Sequence, residues 1–134
     1  MENKNNTLES GEYLVATNNV SGDVKSFQLT KYPFKIGFMG DKSYGNDYGV
    51  SASVGGRVPG EDSQEGYQLP MLSRTHCGIN LEEGVRYLYD LGSRTGTFLN
   101  GKRITAGEKL NNGDKIGLIP VDGKFLLELE YIVK

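Results

Sequence analysis

The sequence predicts an all-β sandwich or barrel of roughly ten short strands. Three observations point there. Apolar residues come in short bursts with a period of two, and turn-forming pairs such as Asn100-Gly101 and Asp122-Gly123 separate the bursts. No window sustains the 3.6-residue period of a capped helix. Nineteen glycines in 134 residues, against four prolines, supply the tight turns that such a chain needs.

Residues 1–10 are polar and Asn-rich, and read as a disordered tail ahead of one folded unit over 11–134. Tyr13 to Ala16 and Ser26 to Leu29 flank the turn signals Asn18-Asn19 and Ser21-Gly22-Asp23, which makes a first hairpin. Phe34 to Phe38 follows Pro33 as a third strand. Residues 39–66 form a long Gly-rich insert with few large aliphatics, and Tyr48 to Val54 is a candidate strand inside it. In Val85 to Leu91 every odd position is apolar, which predicts a half-buried strand with the odd side chains inward. Phe125, Leu127, Leu129, Tyr131 and Val133 form one face of a last strand, with Glu128 and Glu130 on the other. Asn100-Gly101 joins Thr97-Phe98-Leu99 to Lys102-Arg103-Ile104 in a hairpin.

A net charge of −2 argues against a general binder of nucleic acid or membrane surfaces, because phosphate-backbone affinity rests on a basic excess. Cys77 is the only cysteine, so no internal disulfide forms, and a reducing, intracellular setting (cytoplasmic or nuclear) is expected. No apolar run approaches the ~20 residues of a membrane span. The start of the chain is not a signal peptide. His76 has no second imidazole to share a metal with it. Asp41, Asp47, Glu61 and Asp62 lack the spacing of a calcium loop. A Cys77–His76 dyad is disfavoured because neighbours in a strand point to opposite faces. Neither an enzyme, a metal nor a cofactor is expected.

Ser73-Arg74-Thr75-His76 and Ser93-Arg94-Thr95 set arginines beside hydroxyls in loops between strands. A phosphate monoester offers three acceptor oxygens to such groups, and rigid strands can hold the loops that present them. Ile36-Gly37, Ser73 to His76, Asp90 to Gly101 and Leu110 to Ile116 follow one another in the order of a known signature. That signature is Gly-Arg, Ser-x-x-His, Asp-Leu-x-Ser-x-Asn-Gly-Thr-x-Val-Asn-Gly and Leu-x-x-Gly-Asp-x-Ile. The chain therefore resembles the forkhead-associated (FHA) domain family over about residues 12–132.

The resemblance implies an eleven-stranded antiparallel β-sandwich whose loops at one end bind a phosphothreonine-containing protein or peptide. It implies that Ser73 and Arg74 hold the phosphate, while Arg94 and Thr95 line the neighbouring peptide groove. His76 would brace the binding loop, and Gly96, Thr97 and Asn100 would support the site as turn-makers. Two positions depart from the family pattern: Phe38 stands where the family has arginine, and Thr95 where it has asparagine. Arg57, in the insert, could supply the missing cation. The function expected is a phosphorylation-dependent adaptor. The alternative is a domain of the same fold that docks an unphosphorylated protein.

Overall fold

The computed structural model describes residues 10–38, 45–50, 72–73 and 75–134. The expected tail 1–10 therefore lies outside the described residues apart from Ser10, as does most of the 39–66 insert, Arg57 included. Among the described residues the chain forms eleven strands. They are β1 (Glu12–Asn18), β2 (Val24–Gln28), β3 (Phe34–Phe38), β4 (Tyr48–Val50), β5 (Cys77–Glu82), β6 (Val85–Asp90), β7 (Thr97–Leu99), β8 (Lys102–Arg103), β9 (Glu108–Lys109), β10 (Lys115–Val121) and β11 (Lys124–Val133).

Two sheets face each other. One runs β2-β1-β11-β10-β7-β8, the other β4-β3-β5-β6-β9. Between them lie Leu14, Ile36, Ile79, Leu88, Ile116, Leu118, Leu127 and Leu129, all buried, one or two from each long strand. Burying a leucine or isoleucine of this kind contributes about 1.5–3 kcal/mol. That alternation, apolar inside and polar outside, is what the two-residue period encodes.

The ladders are antiparallel with one exception, which corrects the expectation of a wholly antiparallel sandwich. β3 pairs with β4 in parallel, Ile36 opposite Tyr48 and Phe38 opposite Val50. The connection between them is longer than a hairpin turn, so it can carry the chain back to the same end before pairing begins. Asp47 helps fix the start of β4: its N–H donates to Lys35 O at 2.8 Å, and its carboxylate accepts from Lys35 N at 2.9 Å.

The turns are made by the residues that can make them. Asn100-Gly101 and Asp122-Gly123 both have positive φ at each residue, the conformation of the tight hairpin turn that matches strand twist. Asn100 also reaches across to the next turn, donating to Asp114 Oδ1 at 3.1 Å and accepting from Lys115 N at 2.9 Å.

Two strands differ from their sequence reading. In β6 the even positions face inward: Leu88 is fully buried, whereas Val85, Tyr87 and Tyr89 are only half-buried and Leu91 is exposed. Register explains it, because Cys77 and Ile79, both buried on β5, stand opposite Asp90 and Leu88. In β11 Leu127, Leu129 and Tyr131 are buried as one face. The Phe125 ring instead lies over Gly117 and against Phe98, with ring centres 5.1 Å apart.

Candidate functional site

β5 begins and β6 ends at the same rim of the sandwich, where Cys77 stands opposite Asp90. The loop from Gly92 to Gly96 leaves β6 there and enters β7. Its shape is dictated by Asp90. One carboxylate oxygen accepts from the Gly92 and Ser93 N–H groups at 3.2 and 3.1 Å. The other accepts from the Ser93 hydroxyl and from the buried Thr97 hydroxyl, the latter at 2.7 Å. Ser93 Oγ in turn accepts from Gly96 N at 2.9 Å. Gly96 has φ +95°, which a residue with a side chain adopts only under strain.

Burial alone would raise the Asp90 carboxyl. The hydrogen bonds from Ser93 and Thr97 outweigh that and hold it below the usual carboxylate value. Asp90 is thus charged and fully engaged in shaping the loop, and it is the loop's main organiser.

His76 ties this loop to the segment before β5. It is completely buried. Ser73 N–H donates to its Nδ1 at 3.2 Å, and its Nε2 donates to the Gly96 carbonyl at 2.8 Å. Those two partners define the neutral ring with the proton on Nε2. Burial lowers the imidazole's proton affinity further, overriding the Gly96 carbonyl and the Asp90 charge. Both ring nitrogens are therefore committed.

The neighbouring Cys77 thiol is pushed far above its ordinary value, first by burial and then by the charge of Asp90. It stays protonated at neutral pH, so the pair offers no nucleophile. Among the described residues no group of three or more His, Cys, Asp or Glu side chains could hold a metal ion.

Ser73 and Arg94, 21 residues apart in sequence, meet at this rim: Arg94 N–H donates to Ser73 Oγ at 3.0 Å. The Ser73 hydroxyl accepts there, and no described residue takes its proton. The Arg94 side chain is exposed. Thr95 lies next to it, and its Oγ1 is buried without a hydrogen-bond partner among the described residues. Thr97 stands at the base of the rim, and Asn100 lies beyond β7 in the hairpin already described. Arg74 and Arg57 lie outside the described residues. Of Phe38 only the backbone is described, at the end of β3.

Sequence reasoning passed over two residues that organise this rim, Asp90 and Ser93. The signal was present: an aspartate followed at the second and third positions by loop N–H groups is the spacing of an Asx turn.

Three comparisons bear on the chain. A model of the FHA domain matches residues 55–119. Protein FraH from a Nostoc species is 34% identical over 65 residues, which is 46% of this chain and 22% of FraH. The chain thus spans about a fifth of the curated relative it matches. Among solved structures, full-length yeast Pml1p superposes with a TM-score of 0.68 at 20% identity, covering 98% of this chain and 85% of Pml1p. The N-terminal FHA domain of S. cerevisiae Rad53p, in complex with a phosphothreonine peptide, gives 0.63 at 20% identity, covering 92% and 94%. The FHA domain of the CT664 protein from Chlamydia trachomatis gives 0.60 at 15%, covering 92% and 99%. At these identities the structural likenesses speak to the fold.

Proposed function

Because the chain belongs to the FHA domain family, we propose that it is a phosphothreonine-peptide-binding adaptor that mediates phosphorylation-dependent protein–protein interaction. The observation that carries this reading is the bond from Arg94 N–H to Ser73 Oγ, which brings two hydroxyl- and arginine-bearing loops to one rim. There the Ser73 hydroxyl donates to a phosphate oxygen, and Arg74, the next residue, adds its guanidinium. Arg94 and Thr95 line the adjacent groove, where the buried Thr95 hydroxyl gains a partner from the peptide. Arg57, in the insert, is proposed as the cation that replaces the arginine missing at Phe38, should that segment fold over the site. His76, Gly96, Thr97 and Asn100 hold the loops in place. No covalent step or cofactor is involved, as befits a binding module. The proposal places the protein inside the cell, in the cytoplasm or nucleus, where its free thiol at Cys77 is at home.

Two or three charge-assisted hydrogen bonds of about 1.5–3 kcal/mol each, less ordering costs, correspond to micromolar affinity. Calorimetry with a phosphothreonine peptide and its unphosphorylated twin tests the reading: the first binds and the second does not. Equal affinity for the two would overturn it. Substituting Arg74→Ala should cost at least about 1.5 kcal/mol of binding.

A second reading has one specific observation behind it. The orphaned Thr95 hydroxyl stands where the family has an asparagine amide, so the grip on a peptide main chain is altered. A domain that docks an unphosphorylated partner instead would keep its affinity in Ser73→Ala and after phosphatase treatment.

A further inference from the structure

Arg103, at the end of β8, lies on the rim loop. Its Nε and Cζ come within 2.6 and 2.9 Å of where a Cβ would stand on Gly96, so the missing side chain at position 96 is what lets the guanidinium rest there. Arg103 stands opposite Phe98 on β7, two residues on from Gly96 in sequence. Arg103 is exposed, and among the described residues it makes no hydrogen bond or ion pair. The carboxylate built into the same loop, Asp90, already accepts from Gly92, Ser93 and Thr97. Arg94, in the same loop as Gly96, is an exposed cation too. A chain of net charge −2 thus sets two exposed cations, Arg94 and Arg103, at one loop.

We propose that Arg103 is a specificity-determining residue that reads an acidic side chain of the bound peptide, flanking the phosphothreonine. The proposal rests on the phosphopeptide reading above and deepens it: the preferred ligand is an acidic phosphopeptide. A guanidinium held against the loop that lines the phosphate pocket meets the ligand's neighbouring residues without first having to be ordered. Its fork matches a carboxylate in a way that a lysine would not.

The test uses the full chain and peptide libraries with phosphothreonine fixed. At each flanking position in turn, Asp and Glu are compared with Asn and Gln, which are isosteric and uncharged. The wild type should bind the acidic members about two- to fivefold more tightly at one or more positions, the range expected of a partly exposed ion pair. The preference should shrink in high salt. Arg103→Gln should lose the preference while keeping its affinity for the amide members, and Arg103→Lys should restore part of it. Because Arg103 makes no bond within the described fold, the thermal midpoint of Arg103→Gln should match that of the wild type. A wild type that treats acidic and amide members alike, or an Arg103→Gln variant that keeps the preference, overturns the role of Arg103 and leaves phosphate dependence standing. Equal binding of phosphorylated and unphosphorylated libraries would remove the phosphopeptide reading itself, and this inference with it.

Discussion

β6 carries a charged residue facing inward at each end, and the two ends use their charges differently. At one end Arg86 crosses to the other sheet and pairs with Glu12, whose carboxylate also accepts from the Tyr32 and Tyr131 hydroxyls at 2.8 and 2.9 Å. The Arg86 guanidinium lies over the Tyr32 ring, 5.8 Å from its centre, and donates to the Gly84 carbonyl at 3.0 Å. Burial and the bonds to Glu12 push the Tyr131 hydroxyl up, so it remains a donor. At the other end Asp90 has no cation partner among the described residues and is satisfied by hydroxyls and loop N–H groups. The clasp at Arg86 joins one sheet to the other. The knot at Asp90 shapes a loop whose Arg94 guanidinium and Ser73 hydroxyl proton have no partner among the described residues. An ion pair that neutralises itself ties two sheets together and is costly to break, whereas a carboxylate wrapped by its own loop pre-forms a site without using a cation of the described residues.

Substitutions that strike one end and spare the other would break or sharpen this contrast. Asp90→Ala should have the largest effect. It strips the acceptor from the buried Thr97 hydroxyl and from three loop donors, and should cost about 2–4 kcal/mol in urea unfolding together with phosphopeptide binding. Unchanged binding in this variant would mean that the loop is not the site. Arg86→Ala leaves the Glu12 carboxylate without its cation and should lower stability by about 2 kcal/mol, because breaking a largely buried pair strands the other charge. Its phosphopeptide affinity, measured well below the unfolding transition, should equal that of the wild type. Ser73→Ala should show the reverse: stability within about 1 kcal/mol of the wild type, and binding weakened by about 1.5–3 kcal/mol through loss of a charge-assisted bond.

The smallest effect expected is a dependence on pH confined to the rim. His76 and Asp90 both have folded-state values below their unfolded ones. The unfolded chain therefore binds more protons, and stability falls as the solution is acidified. The His76 contribution is fully present above the ordinary histidine value of about 6.5 and is lost as pH falls through its lowered folded value. That of Asp90 is present above about 3.9 and lost below it in the same way. Urea midpoints followed downward from pH 8 should decline first through the histidine step, and His76→Gln should flatten that step alone. A wild type whose midpoint rises on acidification from neutrality would contradict the neutral buried ring.

Much of the architecture was legible in the chain. The hairpin at Asn100-Gly101 and the buried face of Leu127, Leu129 and Tyr131 need only local information, since turn geometry and a two-residue period are local properties. β6 was misread because period alone does not say which face is inside. Tyr87 and Tyr89 look like core residues. Yet Tyr89 spends its hydroxyl on Glu82 at the flank, and the inward positions beside Leu88 go to two charges, Arg86 paired with distant Glu12 and Asp90 wrapped by the loop that follows it. The parallel pairing of β4 was hidden for a similar reason, since it depends on the path of the connection rather than on the residues that pair.

The sequence by itself determined that this chain alternates, turns often and carries Ser73-Arg74 and Ser93-Arg94 between strands. It also determined the order of motifs by which the family is recognised. Only the tertiary structure decided that Ser73 meets Arg94, that His76 spans from Ser73 to Gly96, and that Arg103 comes to rest on the rim loop. Those meetings join residues on different strands and loops. Their distances follow from how two sheets stack and register, a property of the packed core that no local pattern contains.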